Sequence, residues 1–284
     1  LLRRSFRSNS ETTRDGIDRP VCLNIVFFRG GATVPFFVFA VWRIVSMADF
    51  CELWPGGPRF AQAEHFKLGT DCVLLADFVN TASARRGIDL GCASGAISLL
   101  LLTRSPRLHM TGLELVPEAV ELARANMAEN ALTERADMLC GDIRRVRELF
   151  AAGSFDLVAA NPPYFPVGHG RTPSDAARAA ARGETSCTLD DICAAAQWLL
   201  RTGGGFSLVH RPERLGEVFA CMGAHGMEPK RLRCVQPRAE SAPSLVLVEG
   251  RRGGKPGLKI EPPLILSTSD GGESDEYRRI YHRV

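Results

Sequence analysis

The chain has 284 residues, 45% of them apolar, with a net charge of only +3 and a pI near 8.4. That is enough apolar material for a full core and too little charge imbalance for a disordered or generally polycationic protein. Nine cysteines, an odd number without a C-x-x-C pair, predict reduced thiols in a cytoplasmic protein rather than a disulfide or zinc framework.

Residues 1–46 differ from the rest. Residues 1–20 carry five arginines with Ser and Thr and no apolar period, and "GGATVPFFVFAVW" (30–42) is a 13-residue uncharged run. A membrane-spanning helix needs about 20 such residues. The run has the look of a signal-peptide core, with Ser46-Met47-Ala48 imitating a cleavage site, but the polar lead before it is long for such a leader. The expectation is a non-native upstream extension, with Met47 as the natural start, or else a disordered leader, a targeting segment or an extra element; no membrane association is expected.

From about residue 66 the pattern becomes regular. Strands are predicted at 87–91, 109–115, 136–142, 155–160, 206–211, 230–237 and 244–250. Helices are predicted at 97–104, 117–130, 189–200 and 212–226, and "RTGGG" (201–205) is read as a turn. In the second helix Val116, Val120, Ala123 and Met127 form the inner stripe. Alternating strands and helices predict an α/β fold: a Rossmann-like, seven-stranded, mostly parallel sheet, its last two strands an antiparallel hairpin at one edge. The segment 165–187 is read as a mobile loop over the site, and 267–284 as a polar tail.

Ligands of such sheets bind beyond the carboxyl ends of the strands. The first predicted strand ends in "DLGCASG" (89–95), where Gly91 and Gly95 allow close backbone approach, or make an ordinary tight turn. The second ends in Glu114, which suits a ribose diol or caps the helix at Pro117. The third ends in "GDIR" (141–144): Asp142 is either an acceptor for an adenine amine, with Ile143 against the ring, or a cap. One ligand with an amino group, a ribose and an adenine accounts for Asp89, Glu114 and Asp142 together, and S-adenosyl-L-methionine is such a ligand.

The fourth strand ends in Asn161-Pro162-Pro163-Tyr164. With "DLGCASG", this "NPPY" resembles the class I methyltransferases that modify amino groups conjugated to a planar system. The delocalised lone pair of such a nitrogen is a poor nucleophile. Two acceptors, the Asn161 side-chain oxygen and the Pro162 carbonyl, would hold its hydrogens, and Tyr164 would stack on the base. The reaction needs positioning and electrostatics rather than a metal.

"FKLGTDCVLLADF" (66–78), "CTLDDICAAAQWLLRTGGGFSLVHRPERL" (187–215) and "KIEPPLIL" (259–266) narrow the resemblance to the bacterial tRNA(Val) adenosine-37 N6-methyltransferases, over about residues 50–266. The resemblance implies methylation of N6 of an adenosine beside the anticodon and a methyltransferase domain at 47–266; a monomer without an obligate protein partner is the default expectation. It places Thr70 and Asp71 near the methionine end of the cofactor, although the pair would equally cap a helix from Cys72. Basic residues crowd 229–259, eight against two acids, among them Lys230, Arg231, Arg251 and Arg252. With Arg171, Arg178 and Arg182 in the predicted loop and Arg211 after the fifth strand, they are candidates for phosphate contact, or a solvated face. Competing readings are a glutamine N5-methyltransferase of release factors, a DNA or rRNA base methyltransferase, and an inactive RNA-binding module on the same fold.

Overall fold

The computed structural model describes residues 49–62, 68–162 and 187–283. The segment 1–46, Pro163, Tyr164 and the predicted loop with Arg171, Arg178 and Arg182 lie outside the described residues.

A short hairpin, β1 (Cys51–Glu52) and β2 (Arg59–Phe60), leads into α1 (Thr70–Phe78). The units β3 (Arg86–Leu90), α2 (Ala96–Arg104), β4 (His109–Glu114), α3 (Pro117–Glu129) and β5 (Ala136–Cys140) follow. A 3₁₀ turn and a one-turn α4 (Val146–Leu149) connect to β6 (Phe155–Ala160). Then come α5 (Leu189–Leu199), β7 (Leu200–His210), α6 (Leu215–Ala224), β8 (Met227–Gln236) and β9 (Leu245–Arg252). The dipeptides β10 (Lys259–Ile260) and β11 (Leu264–Ile265) and helix α7 (Asp275–Ile280) close the series.

The seven predicted strands form one sheet in the order β8-β9-β7-β6-β3-β4-β5. β5, β4, β3, β6 and β7 run parallel, and β9 enters antiparallel between β7 and β8. The hairpin is therefore at the edge as predicted, but β10 and β11 add to β8 in parallel and cover that edge. Alternation in β6 splits the core in two. Leu157 and Ala159 face a cluster with α1, α2, α3 and α7, whereas Val158 and Ala160 face one with α4, α5 and α6.

Three local features have clear causes. Helix α5 starts at a capping box, with the Asp191 N–H donating to Thr188 Oγ1 (3.1 Å) and the Thr188 N–H to Asp191 Oδ2 (2.9 Å). Residues 201–205, expected as a turn, belong to β7: between Phe155↔Leu200 and Leu157↔Gly205 the register jumps, and Gly203 takes φ +78° in the resulting bulge. The predicted polar tail is also corrected. Ile280 is buried, and Tyr277 and Tyr281 pack on the first core cluster, an i, i+3, i+4 stripe that seats α7. Arg233–Glu276 (2.7 Å) and the stacked rings of Trp54 and His282 (4.0 Å) fasten this segment to β8 and the N-terminal hairpin.

Candidate active site

The chain order reverses between β3 and β6. β4 and β5 lie to one side of β3, and β6 and β7 to the other, so the crevice beyond Leu90↔Ala160 is the topological switch point. The loop 91–95 follows β3 on one lip, and Asn161 follows β6 on the other. The sequence-predicted residues Asp89, Gly91, Glu114, Asp142 and Asn161 all sit at this end of the sheet.

Asp89 is completely buried. Its Oδ2 accepts from the Ser98 hydroxyl (3.2 Å), whereas its Oδ1 accepts no hydrogen bond among the described residues. Burial raises its carboxyl to about 7, helped by repulsion from Glu114 and opposed by the Ser98 hydrogen bonds. A buried acceptor without a donor is costly, and an external donor, best a cationic one, would relieve it.

The two glycines do different work. Gly91 (φ +73°) faces open space, where a ligand has room to approach its backbone. A Cβ on Gly95 (φ +82°) would sit 3.1 Å from Ala123 Cβ and Met127 Cε, so Gly95 lets α2 and α3 close on each other. Between them, Ala93 takes φ +46°, and its N–H donates to Glu114 Oε2 (3.0 Å). Glu114 Oε1 accepts from the Val116 N–H (2.9 Å). Glu114 thus braces the glycine loop and the start of α3, and each oxygen keeps a second lone pair for a hydroxyl.

Asp142 caps the 3₁₀ turn Ile143–Arg145, accepting from the Arg144 N–H (2.9 Å), and is also chelated by the Arg144 guanidinium at 2.5–3.0 Å. That side-chain bond holds the Asp142 carboxyl below its usual range. Both readings of Asp142 therefore meet an ion pair that the sequence did not signal. Ile143 is half-buried against the second core cluster.

Asn161 carries the contact of greatest consequence. Its Nδ2 donates to Asp71 Oδ2 (3.0 Å) and to Cys72 Sγ (3.3 Å), both in the first turn of α1. A carboxylate only accepts, so the amide nitrogen must be the end turned to Asp71. Burial pushes the Cys72 thiol up to about 12, which keeps it protonated. Pro162 is buried. Asp71 is thus at this end of the sheet, against Asn161. Thr70 is the exposed first residue of α1, which starts two residues before the predicted Cys72.

The basic candidates divide. Arg211 lies at the site end, after β7, with its Nη1 donating to the Ser244 carbonyl (3.2 Å). Lys230, Arg251 and Arg252 sit at the opposite end, because β9 runs antiparallel and Arg251 pairs with Gly205 near the start of β7. Arg251 donates to the Gly203 carbonyl, Arg252 to the Leu200 carbonyl and Lys230 to the Lys255 carbonyl. Arg231 stacks on Phe78 (4.0 Å) and pairs with the buried Glu249 (3.3 Å). These four are not brought to the crevice. His210, at the end of β7, is buried, which lowers its imidazole to about 4.

Sequence reasoning missed Ser98, Arg144 and the buried Asn126. Asn126 donates to the Ser94 and Ala61 carbonyls (2.9 and 3.0 Å), tying the glycine loop to the N-terminal hairpin. Its one signal is an amide on the inner face of α3, next to Met127.

Residues 63–217 match the methyltransferase small domain family model. The chain is 32% identical over 212 residues to the tRNA1(Val) (adenine(37)-N6)-methyltransferase of Tolumonas auensis, covering 74% of this chain and 86% of that protein. It is 31% identical to the Aeromonas hydrophila protein of the same name, with the same two coverages, and 39% identical over 156 residues to that of Yersinia enterocolitica, covering 54% and 60%. A predicted O-methyltransferase from Agrobacterium tumefaciens shares the fold, with a TM-score of 0.62 at 22% identity, over 75% of this chain and 96% of that one.

Proposed function

We propose a specific reaction on one premise: the chain belongs to the methyltransferase small domain family and, within it, to the tRNA1(Val) (adenine(37)-N6)-methyltransferases. It transfers the methyl group of S-adenosyl-L-methionine to the exocyclic N6 of an adenosine in tRNA, at position 37 of tRNA(Val). The observation that carries this reading is Asn161 at the switch point with its amide nitrogen committed to Asp71.

The cofactor, when bound, supplies an electrophilic methyl group. The residues present fit it: the orphaned Asp89 Oδ1 suits a cationic amino group, the open face of Gly91 suits a close ligand, and Glu114 retains lone pairs for a ribose. Asp142 and Ile143 are assigned to the adenine, with Arg144 sharing the Asp142 carboxylate. Gly95 acts through helix packing, and Thr70, beside Asp71, is assigned to the methionine end of the cofactor.

At the target base, the N6 lone pair is spread into the ring. Asn161 Oδ1, the end of the amide opposite Asp71, accepts one N6 hydrogen, and the Pro162 carbonyl accepts the other. The amine then turns pyramidal and its lone pair localises. Asp71 is the positioning residue: its carboxylate is the strong acceptor that holds the Asn161 amide nitrogen away from the target amine, with Cys72 Sγ as a weaker second acceptor. Pro163 and Tyr164 complete the corner, Tyr164 by stacking on the base. A base in an anticodon loop is already unpaired, so splaying it out costs little. Arg211 is assigned to a nearby phosphate, with Arg171, Arg178 and Arg182 as further contacts. The same reading makes 47–266 the methyltransferase domain, with 267–283 docked on it, in a monomeric cytoplasmic enzyme.

The test is transfer from labelled S-adenosylmethionine to an unmodified tRNA(Val) transcript and to the same transcript with guanosine at position 37. Label is expected in the first only, recovered as N6-methyladenosine. Equal labelling of both would overturn the position, label in release factor instead would overturn the RNA substrate, and cofactor binding with no transfer to any acceptor would favour an inactive binding module.

A further inference from the structure

Away from the crevice, helices α5 and α6 bring together four side chains that the methyl-transfer site does not use. Asp190 and Cys193 are three apart on α5; Cys221 and His225 are four apart at the end of α6. Each spacing puts both members of a pair on one helix face. Where the helices meet, His225 Nε2 lies 2.7 Å from Asp190 Oδ1, and Cys221 Sγ lies 3.9 Å from the same oxygen. One donor atom from each of Asp190, Cys221 and His225 falls within 4.8 Å of the others.

We propose that Asp190, Cys221 and His225 bind a divalent cation of the zinc class and clip α5 to α6. The mixed sulfur, nitrogen and oxygen set selects zinc or cobalt over magnesium or calcium, which take oxygen ligands. Tetrahedral zinc bonded at its usual lengths separates a carboxylate oxygen from an imidazole nitrogen by about 3.3 Å and from a thiolate sulfur by about 3.6 Å. The sulfur–oxygen distance is already close to that, and the nitrogen–oxygen pair needs to open by about half an ångström. Asp190 can supply that movement, since its side chain is 74% exposed. The same exposure admits water to the fourth position.

Charge also balances. A Cys221 thiolate and the Asp190 carboxylate match the dication, with His225 neutral. In the free protein burial raises the Cys221 thiol above its ordinary value, and a bound dication reverses that by taking the thiolate directly. Cys193, fully buried one turn along α5 from Asp190, is a core thiol rather than a ligand. No sequence pattern announces this site, because the two pairs are joined only by helix packing.

The experiment uses the full chain stripped with a chelator and titrated with Co²⁺. One equivalent is expected to give a thiolate-to-cobalt charge-transfer band with the visible bands of a tetrahedral ion, abolished by Zn²⁺ competition. Cys221→Ser and His225→Ala should each lose the charge-transfer band, and Asp190→Asn should weaken binding at least about tenfold. Cys193→Ala should keep the band, and Zn²⁺ should raise the melting temperature of the unmodified chain but not of His225→Ala. Far-ultraviolet dichroism and methyl transfer within twofold of the unmodified chain establish that the variants are folded; Asp190→Asn, at an exposed position, serves where a core variant is not. No band with micromolar Co²⁺, or a band that survives in His225→Ala and Asp190→Asn, would sink the proposal.

Discussion

The two ends of the central sheet hold similar residue types and use them differently. At the carboxyl ends of β3, β4 and β6, Asp89, Glu114 and Asn161 line a crevice, and Asp89 leaves an oxygen with no donor. At the opposite end the charges meet one another in ion pairs. Asp156 accepts from the Arg85 and Arg86 backbone (2.8 and 3.0 Å) and pairs with Arg201, while Glu249 pairs with Arg231. Arg251 and Arg252 cap carbonyls of β7. Glu249 Oε2 is buried without a hydrogen bond, as Asp89 Oδ1 is, but it has the Arg231 guanidinium beside it; a buried carboxylate with a cation beside it serves the fold, and one with no cation beside it among the described residues points to a ligand. Counting arginines along the chain cannot make that distinction, because it depends on partners brought in by the sheet.

Asn161→Ala should make the largest difference between the two ends. Removing an acceptor that acts on the reacting amine is expected to lower kcat by about 10²- to 10³-fold, with cofactor affinity within a few-fold by calorimetry. Equal loss of both would mean that Asn161 holds the cofactor. Asp89→Asn comes next, and should weaken cofactor binding by about tenfold or more, the scale of a lost charge-assisted hydrogen bond. Its pH dependence is the sharper reading. The free protein's Asp89 titrates near 7, so affinity for a cationic amino group should fall as pH drops below 7, and the Asn variant should be flat there. Because that value stands above the ordinary 3.8, folding favours the neutral form, and the ligand-free protein loses stability as pH rises from about 4 through 7. Melting curves of Asp89→Asn should lack that loss and meet the unmodified protein only at the acid end.

Asp71→Ala is expected to cost about tenfold in kcat, since it loosens the hold on the Asn161 amide without removing the acceptor. The KM values for tRNA and cofactor should stay within twofold, and Asp71→Asn, which can still accept from Asn161 Nδ2, should recover most of the rate. A purely structural role would instead lower the melting temperature in both variants without that rescue.

The strand ends were legible because a strand buried on both faces is written as an uninterrupted apolar run, as in "LVAA" (157–160), and its last residue is therefore easy to find. Asp89, Glu114 and Asn161 follow directly. What stayed hidden depends on pairs distant in sequence. Asp71 and Asn161 are 90 residues apart, so the Thr-Asp pair was visible but not its partner. Arg231 reads as surface charge until Phe78 and Glu249 surround it. Two-residue strands such as β10 and β11 carry no period at all. Helix α7 holds its Tyr277, Ile280 and Tyr281 stripe among charges, which lets a packed segment pass for a polar tail. The glycines of 201–205 signal a turn and a bulge equally well.

The smallest effects test the far end of the sheet. Arg211→Ala should raise the KM for tRNA several-fold and reduce the slope of log KM against log salt by about one, the signature of a lost phosphate contact. The pair Lys230→Ala with Arg251→Ala should leave both quantities unchanged within error, although it removes twice the charge. Whole-molecule electrostatics predicts the reverse ranking, because screened attraction scales with the charge removed. If the double variant shifts the salt slope by about two, the tRNA wraps around both ends of the sheet, and the internal partners of these residues do not decide what they bind.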